Sequence, residues 1–260
     1  MEKSKLLSIL TEDSSVIKFD TRTSRPYFAQ GAELLNEIGS TVLPTILQSK
    51  TVLDLGCHIG GLISFLRGAG YTGQYVGVEL QSNFVKLATE LQPTEDFICA
   101  DAYTYLRTNV EKYDTVVCLG LLHCFIEPFS MLREIAEHST SFLIVDSKNI
   151  RTDILGNAIK NDNKYAVVCT NNGCPKDEMS DNNSFVGYVG LGSVITTEYV
   201  DLFLSTLGWQ NTATDVSLLT TGIYREPDSH RTMKFYKKSD TIKTNTLQEK
   251  LNENSKKFIT

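Results

Sequence analysis

The sequence predicts an α/β fold: a doubly wound, mostly parallel seven-stranded sheet ending in an antiparallel hairpin, with a helical N-terminal segment and an insertion after the fifth strand. Three observations carry this expectation. β-rich apolar runs alternate with helix-spaced runs between residues 51 and 147. Five such runs separated by helices imply parallel strands with right-handed crossovers and helices on both faces. The runs also show little period-two alternation, as expected of strands covered on both sides.

The elements follow in order. Two helical runs, 28–38 and 42–47, precede the first strand, 51–55, which Gly56 ends. A helix starts behind Gly60 and Gly61. The second strand is 75–78; Ser82 is the expected N-cap of a helix carrying Phe84, Leu87, Ala88 and Leu91, and Pro93 stops it. A short strand at 97–99 and a brief helix around Tyr105 and Leu106 come next. Asp114 opens a fourth strand, 115–119. Phe129, Leu132, Ile135 and Ala136 mark another helix before the fifth strand, 142–145.

The pattern then breaks. Residues 148–194 are rich in Asn, Asp, Gly and Ser, with one apolar run at 165–168, and read as an insertion or lid. Helical spacing returns at Tyr199, Val200, Phe203, Leu204 and Leu207 and stops at Gly208, with Trp209 expected as core packing. Strands around 215–219 and 232–236, linked through 222–230, complete the sheet. The expected organisation is thus an N-terminal cap over 1–50, a main domain over 51–236 containing the insertion, and a basic tail over 237–260.

Composition bounds the function classes. In 260 residues, 41% hydrophobic and 22% charged content is ordinary globular usage. A net charge of −6 and a pI near 5.3 argue against a dedicated polyanion binder. The tail runs the other way, with six lysines against three acids. No apolar stretch approaches a membrane span or a secretory leader, so the expected location is cytoplasmic. Six cysteines show no CxxC spacing, which excludes a zinc ribbon or thioredoxin motif. They read as buried free thiols, apart from Cys169 and Cys174 in a polar loop. No metal cluster is visible.

Three features fall at the C-terminal ends of successive strands, where open α/β sheets bind ligands. The first is the run from Asp54 through Gly56, Cys57, His58 and Gly60 to Gly61. Its glycines permit a tight turn, the following helix offers free N–H groups, and Asp54 can accept from an ammonium. A dinucleotide fingerprint would need Gly-x-Gly-x-x-Gly, which is not the spacing here. The second is Glu79, able to accept both hydroxyls of a ribose. The third is Asp101-Ala102, whose carboxylate and adjacent N–H match the N6 amino group and N1 of adenine. Taken singly, Asp54 and Asp101 also read as helix caps and Glu79 as a solvated strand-end acid.

A ligand with an amino-acid end, a ribose and an adenine describes S-adenosylmethionine, and the arrangement resembles the class I methyltransferase family. Val52-Leu53-Asp54-Leu55-Gly56-Cys57 is similar to its first motif, Val78-Glu79 to its second and Ala100-Asp101-Ala102 to its third. The run from Tyr113 to His123 is similar to its fourth. The resemblance covers residues 45–147 and, more weakly, 193–236. It implies a Rossmann-like fold and S-adenosylmethionine held by Asp54, Gly56, Cys57, His58, Gly60, Glu79, Leu80, Asp101, Ala102 and Leu119. His58 departs from the family's commoner glycine; solvent or a structural hydrogen bond is its expected environment.

Methyl transfer rests mainly on alignment, worth roughly 7–11 kcal/mol, with general acid–base help adding about 10²–10⁴-fold where the acceptor loses a proton. His123, past the fourth strand, is the candidate base, and shaping the pocket is its alternative role. Arg25, Tyr27 and Tyr188 are the candidate substrate contacts. The expected function is methyl transfer to an oxygen or nitrogen of a small molecule. An RNA-modifying methyltransferase and a cofactor-binding subunit without activity stand as alternatives, with an NAD-dependent reductase behind them.

Overall fold

The computed structural model describes residues 42–148, 167–171, 191–212 and 231–239. Its first element, α1 (Leu43–Gln48), has Pro44 in its first turn, where proline's fixed φ suits a helix and its missing N–H costs nothing. It buries Ile46 against the sheet. Ser49 Oγ then meets Thr115 Oγ1 at 2.7 Å, and Lys50 N–H donates to Asp114 at 2.7 Å. Residues 42–50 are therefore part of the body rather than of a cap. The helical run at 28–38 lies outside the described residues.

The sheet is built from β1 (Thr51–Leu55), β2 (Gln74–Glu79), β3 (Asp96–Cys99), β4 (Tyr113–Cys118) and β5 (Ser139–Lys148), all parallel. Between them run α2 (Gly61–Gly68), α3 (Ser82–Leu91), α4 (Ala102–Thr108) and α5 (Pro128–His138). Later come β6 (Val167–Asn171), β7 (Leu191–Ile195), α6 (Thr197–Thr206), β8 (Trp209–Asn211) and β9 (Arg231–Lys238). Among the described residues the main sheet has seven strands in the order β3-β2-β1-β4-β5-β9-β8, with β9 antiparallel to both neighbours. This is the fold class expected from sequence.

One apolar cluster joins β1, β2 and β4 to α4, α5 and α6; the other joins the opposite face to α1 and α2. Two-sided burial explains the missing alternation: Leu53 and Leu55 face one cluster and Val52 the other. β3 lies at the edge, so Cys99 is exposed, contrary to its expected burial; Cys57 and Cys118 are buried.

Several boundaries move for local reasons. The N-cap of α3 is Gln81, in extended conformation, and Ser82 is already helical. α3 ends at Leu91, with Gln92 bent out of the helix before Pro93, because the residue preceding proline clashes in helical conformation. β5 starts directly after α5 and extends to Lys148, where β9 continues to pair with it. β9 reaches Lys238, so Lys237 and Lys238 belong to the sheet and not to the tail.

The second partner of β9, beside β5, is Trp209–Asn211, so Trp209 is both core packing and the start of a strand. The strand expected at 215–219, the link at 222–230 and Cys174 lie outside the described residues. Cys169 sits in β6, not a loop, and β6, in the middle of the insertion, pairs antiparallel with β7 at its close as a separate ribbon.

Candidate functional site at the strand tips

Register assembles the site. Leu55 lies level with Val78 and Cys118, and Glu79 lies level with Cys99. Residues far apart in sequence, from 54–60, 79–80, 101–102 and 119–123, thus converge beyond the strand ends. The chain order reverses between β1 and β4, which is where such sheets open a crevice.

The turn after β1 is left-handed at three places: Gly56 (φ 75°), His58 (φ 53°) and Gly60 (φ 79°). The N–H groups of Gly56 and Cys57 donate to Val78 O, binding the turn to β2. Gly60 is fixed twice over, by its φ and by space: a Cβ there would lie 2.6 Å from Gln92 Nε2 and 2.9 Å from Phe97. Gln92 Nε2 donates to Gly60 O at 2.8 Å and locks the turn to the end of α3. Gly56 approaches the Leu121 side chain, joining the first turn to the loop after β4.

His58 occupies a conformation that non-glycine residues seldom take, although His, Asn and Asp tolerate it best. Its ring packs on Phe84 at 4.0 Å between centroids, and its N–H donates to Glu79 Oε2 at 3.1 Å. Burial lowers its pKa to about 4, so the ring is neutral at pH 7.

The carboxylates differ in what they touch. Asp54 is 4% exposed, and its Oδ2 accepts from the Tyr75 hydroxyl at 2.7 Å. Burial pushes its pKa up to about 7, the Tyr75 hydrogen bond works against that rise, and Glu79 adds to it. Glu79 is buried and accepts from the N–H groups of His58 and Gln81; burial raises its pKa and those N–H groups lower it. Asp101 caps α4 by accepting from Thr104 N–H at 2.8 Å, leaving its second oxygen without a hydrogen bond among the described residues. Ala102 is buried, while Leu80 and Leu119 are half-buried. Cys57 is buried, with its thiol pKa raised well above the usual value by burial and by Asp54.

His123 lies in a short 3₁₀ turn, Leu122–Cys124, and is 6% exposed. That turn packs against β5, β7 and α5. The base of the insertion thus sits directly over the loop after β4. Arg25, Tyr27 and Tyr188 lie outside the described residues.

Three site residues have no signal of their own in the local sequence pattern: Tyr75, Gln92 and Leu121. Tyr75 and Gly77 share a face of β2 opposite Val52 and Asp54, and that period-two relation is the one clue available for Tyr75. Gln92 and Leu121 act across 32 and 65 residues, which local pattern does not encode.

Residues 53–141 match the family model of a methyltransferase domain. The match is to a methyltransferase domain, and over this stretch the strand order and the left-handed turn are Rossmann-like. The chain is 26% identical over 142 residues to a protein of Invertebrate iridescent virus 6 named as a methyltransferase, over 52% of this chain and 52% of that protein. It is 30% identical over 130 residues to the ubiquinone biosynthesis O-methyltransferase of Serratia proteamaculans (strain 568), over 46% of this chain and 54% of that protein. The chain spans about half the length of these curated relatives. Among solved structures, the magnesium protoporphyrin IX methyltransferase of Synechocystis PCC 6803 with bound SAH has the same fold, with a TM-score of 0.54 and 17% identity over 92% of this chain and 100% of that one.

Proposed function

We propose that the protein is an S-adenosylmethionine-dependent methyltransferase that acts on an oxygen of a small-molecule acceptor. The observation that carries this reading is the set of three carboxylates, Asp54, Glu79 and Asp101, around one left-handed turn at neighbouring strand ends. The donor and acceptor chemistry fits the cofactor. Glu79 accepts from the N–H groups of His58, Gln81 and Leu80, and the four lone-pair positions of its carboxylate leave room for a ribose hydroxyl. Asp101 keeps one oxygen for an adenine amino group beside the Ala102 N–H. Asp54 has no cationic partner among the described residues and suits an ammonium. Gly56, Cys57, His58 and Gly60 contribute backbone, and Leu80 and Leu119 contribute apolar contact.

When bound, S-adenosylmethionine supplies an electrophilic methyl on a sulfonium centre. The chain aligns the acceptor against it and excludes water. The packing of the His123 turn against β7 supports a role for His123 in shaping the acceptor side, and as a base it would take the proton of a hydroxyl. The relationship to a ubiquinone biosynthesis O-methyltransferase supports oxygen over nitrogen as the atom attacked.

Calorimetric titration with S-adenosylhomocysteine tests the cofactor assignment; an absence of binding would overturn it. Transfer of labelled methyl groups is then measured on panels of small hydroxyl compounds, amines and RNA. Labelled methyl ethers are expected, and labelling confined to RNA would replace the small-molecule reading. Binding without transfer in any panel would leave a cofactor-binding subunit.

A further inference from the structure

Asp54 is a buried carboxylate whose support is unusually thin. It lies in mid-sheet, level with Gly77 of β2 and Val117 of β4. Among the described residues, its one hydrogen bond comes from Tyr75, and no cation pairs with it. The titratable groups around it are Tyr75 on β2, Glu79 at the tip of β2 and Cys57 in the turn. None of these carries positive charge. Two acids and a thiol therefore share a site that disfavours ionisation, and at Asp54 the Tyr75 hydroxyl opposes that.

The neighbouring position on β2 is closely packed. Gly77 lacks a side chain, and a Cβ there would meet Cys57 Sγ at 2.7 Å and Phe97 at 2.9 Å. The Tyr75 ring lies two residues back on the same face, edge-on to Phe97 at 6.0 Å, and is 1% exposed. A phenylalanine would fill this position equally well as packing and would bury no hydroxyl. Among the described residues, the hydroxyl's counterpart is Asp54 alone.

We propose that Tyr75 is a positioning residue of the cofactor site, holding Asp54 ionised and oriented toward the cationic amino-acid end of the ligand. This rests on the S-adenosylmethionine reading above. Tyr75 touches Asp54 and not the ligand. Its contribution is to the acid's protonation equilibrium, because a hydrogen bond to the charged form favours that form.

The test is the dissociation constant of S-adenosylhomocysteine, measured by calorimetry from pH 5.5 to 8.5 on the full chain. Three forms are compared: wild type, Tyr75→Phe and Asp54→Asn. Wild-type affinity is expected to fall as pH drops below about 7, where Asp54 takes up its proton. In Tyr75→Phe the midpoint of that fall moves up by roughly one pH unit, with about a fivefold loss at pH 7 that approaches about tenfold at pH 5.5 and shrinks toward pH 8.5. Asp54→Asn binds weakly and lacks this fall; any slope it retains belongs to Glu79. A loss in Tyr75→Phe that is equal at every pH would reduce Tyr75 to packing and overturn the proposal. Wild-type binding that does not vary with pH would also overturn it, whether or not the Tyr75 variant folds. No binding by wild type at any pH is a different failure, that of the cofactor reading itself.

Discussion

The two ends of the central strands carry acids in opposite conditions. At the end away from the site, Glu95 receives both prongs of Arg67, at 2.7 and 2.8 Å, and Arg67 also donates to the carbonyls of Tyr71 and Gly73. Asp114 there accepts from Lys50 N–H, Thr51 N–H and Thr140 Oγ1. At the tips, Asp54 and Glu79 are more deeply buried yet have only neutral donors. Burying charge without a counter-charge is costly, and stability alone would not select it. The paired end holds the fold together. On the proposed function, the end without a counter-charge among the described residues is the one that receives a cationic, hydroxyl-bearing ligand.

The largest test of this contrast is Asp54→Asn, because it should move stability and binding in opposite directions. The folded state holds the Asp54 proton up to about pH 7, whereas the unfolded chain releases it near 3.8. Between those values the folded form binds more protons, so stability falls as pH rises through that window and then levels off. Asparagine removes this penalty and can still accept from Tyr75. The variant is expected to match wild type near pH 4 and to exceed it at pH 8 by up to about 4 kcal/mol. Its affinity for S-adenosylhomocysteine at pH 8 should drop by about 100-fold, the scale of a lost charged hydrogen bond. Urea titrations at the two pH values and calorimetry at pH 8 read both effects. A variant less stable than wild type at pH 8 would show that Asp54 is structural.

Arg67→Ala is the mirror experiment at the other end. It strands the nearly buried Glu95 carboxylate and two carbonyls, for an expected loss of about 2–3 kcal/mol in urea denaturation. Ligand affinity should stay within about threefold of wild type. If affinity falls along with stability, the two ends are coupled and the contrast is lost.

Gly60→Ala tests the turn between them. The left-handed φ and the 2.6 Å approach to Gln92 Nε2 together should cost about 1–2 kcal/mol. Because Gln92 ends a flexible side chain, part of the cost can be relieved by losing its bond to Gly60 O. Paired with Gln92→Ala, the substitution should cost less than the two singles together, which a double-mutant cycle measures.

How much of this is legible in the sequence follows the range of the interactions. β1, β2, β4 and β5 announce themselves because two-sided burial writes continuous apolar runs, and the turn is visible because left-handed backbone calls for glycine. β8 is not visible: Trp-Gln-Asn has no strand pattern of its own and is a strand because β9 pairs with it. The acids Asp54, Glu79 and Asp101 are legible as a set, since strand ends place them. Their electrostatic condition is not, because it depends on Tyr75, 21 residues from Asp54 in sequence, and on what fails to face them. The buried Lys234, bonded to Asp201 at 2.6 Å, is illegible for the same reason: its partner stands on another element.

The smallest expected effect separates backbone from side chain within the site. His58 contributes its N–H to Glu79, its left-handed φ to the turn and its ring to Phe84. Glycine retains the first, relaxes the second and deletes the third. Relief of the backbone strain and removal of the aromatic packing are each worth about 1 kcal/mol and oppose one another, so the net stability change in His58→Gly should be under about 1 kcal/mol. Since the ring is neutral above about pH 4, its removal also leaves the electrostatic balance at the tips unchanged. Affinity for S-adenosylhomocysteine should then stay within about threefold, because the N–H that holds Glu79 is still there. His58→Val is the counter-test, since a β-branched residue in the same conformation is strained and should damage both turn and binding. If glycine instead lowers affinity tenfold at unchanged stability, the imidazole itself touches the ligand, and the neutral side of the contrast acquires a side-chain member.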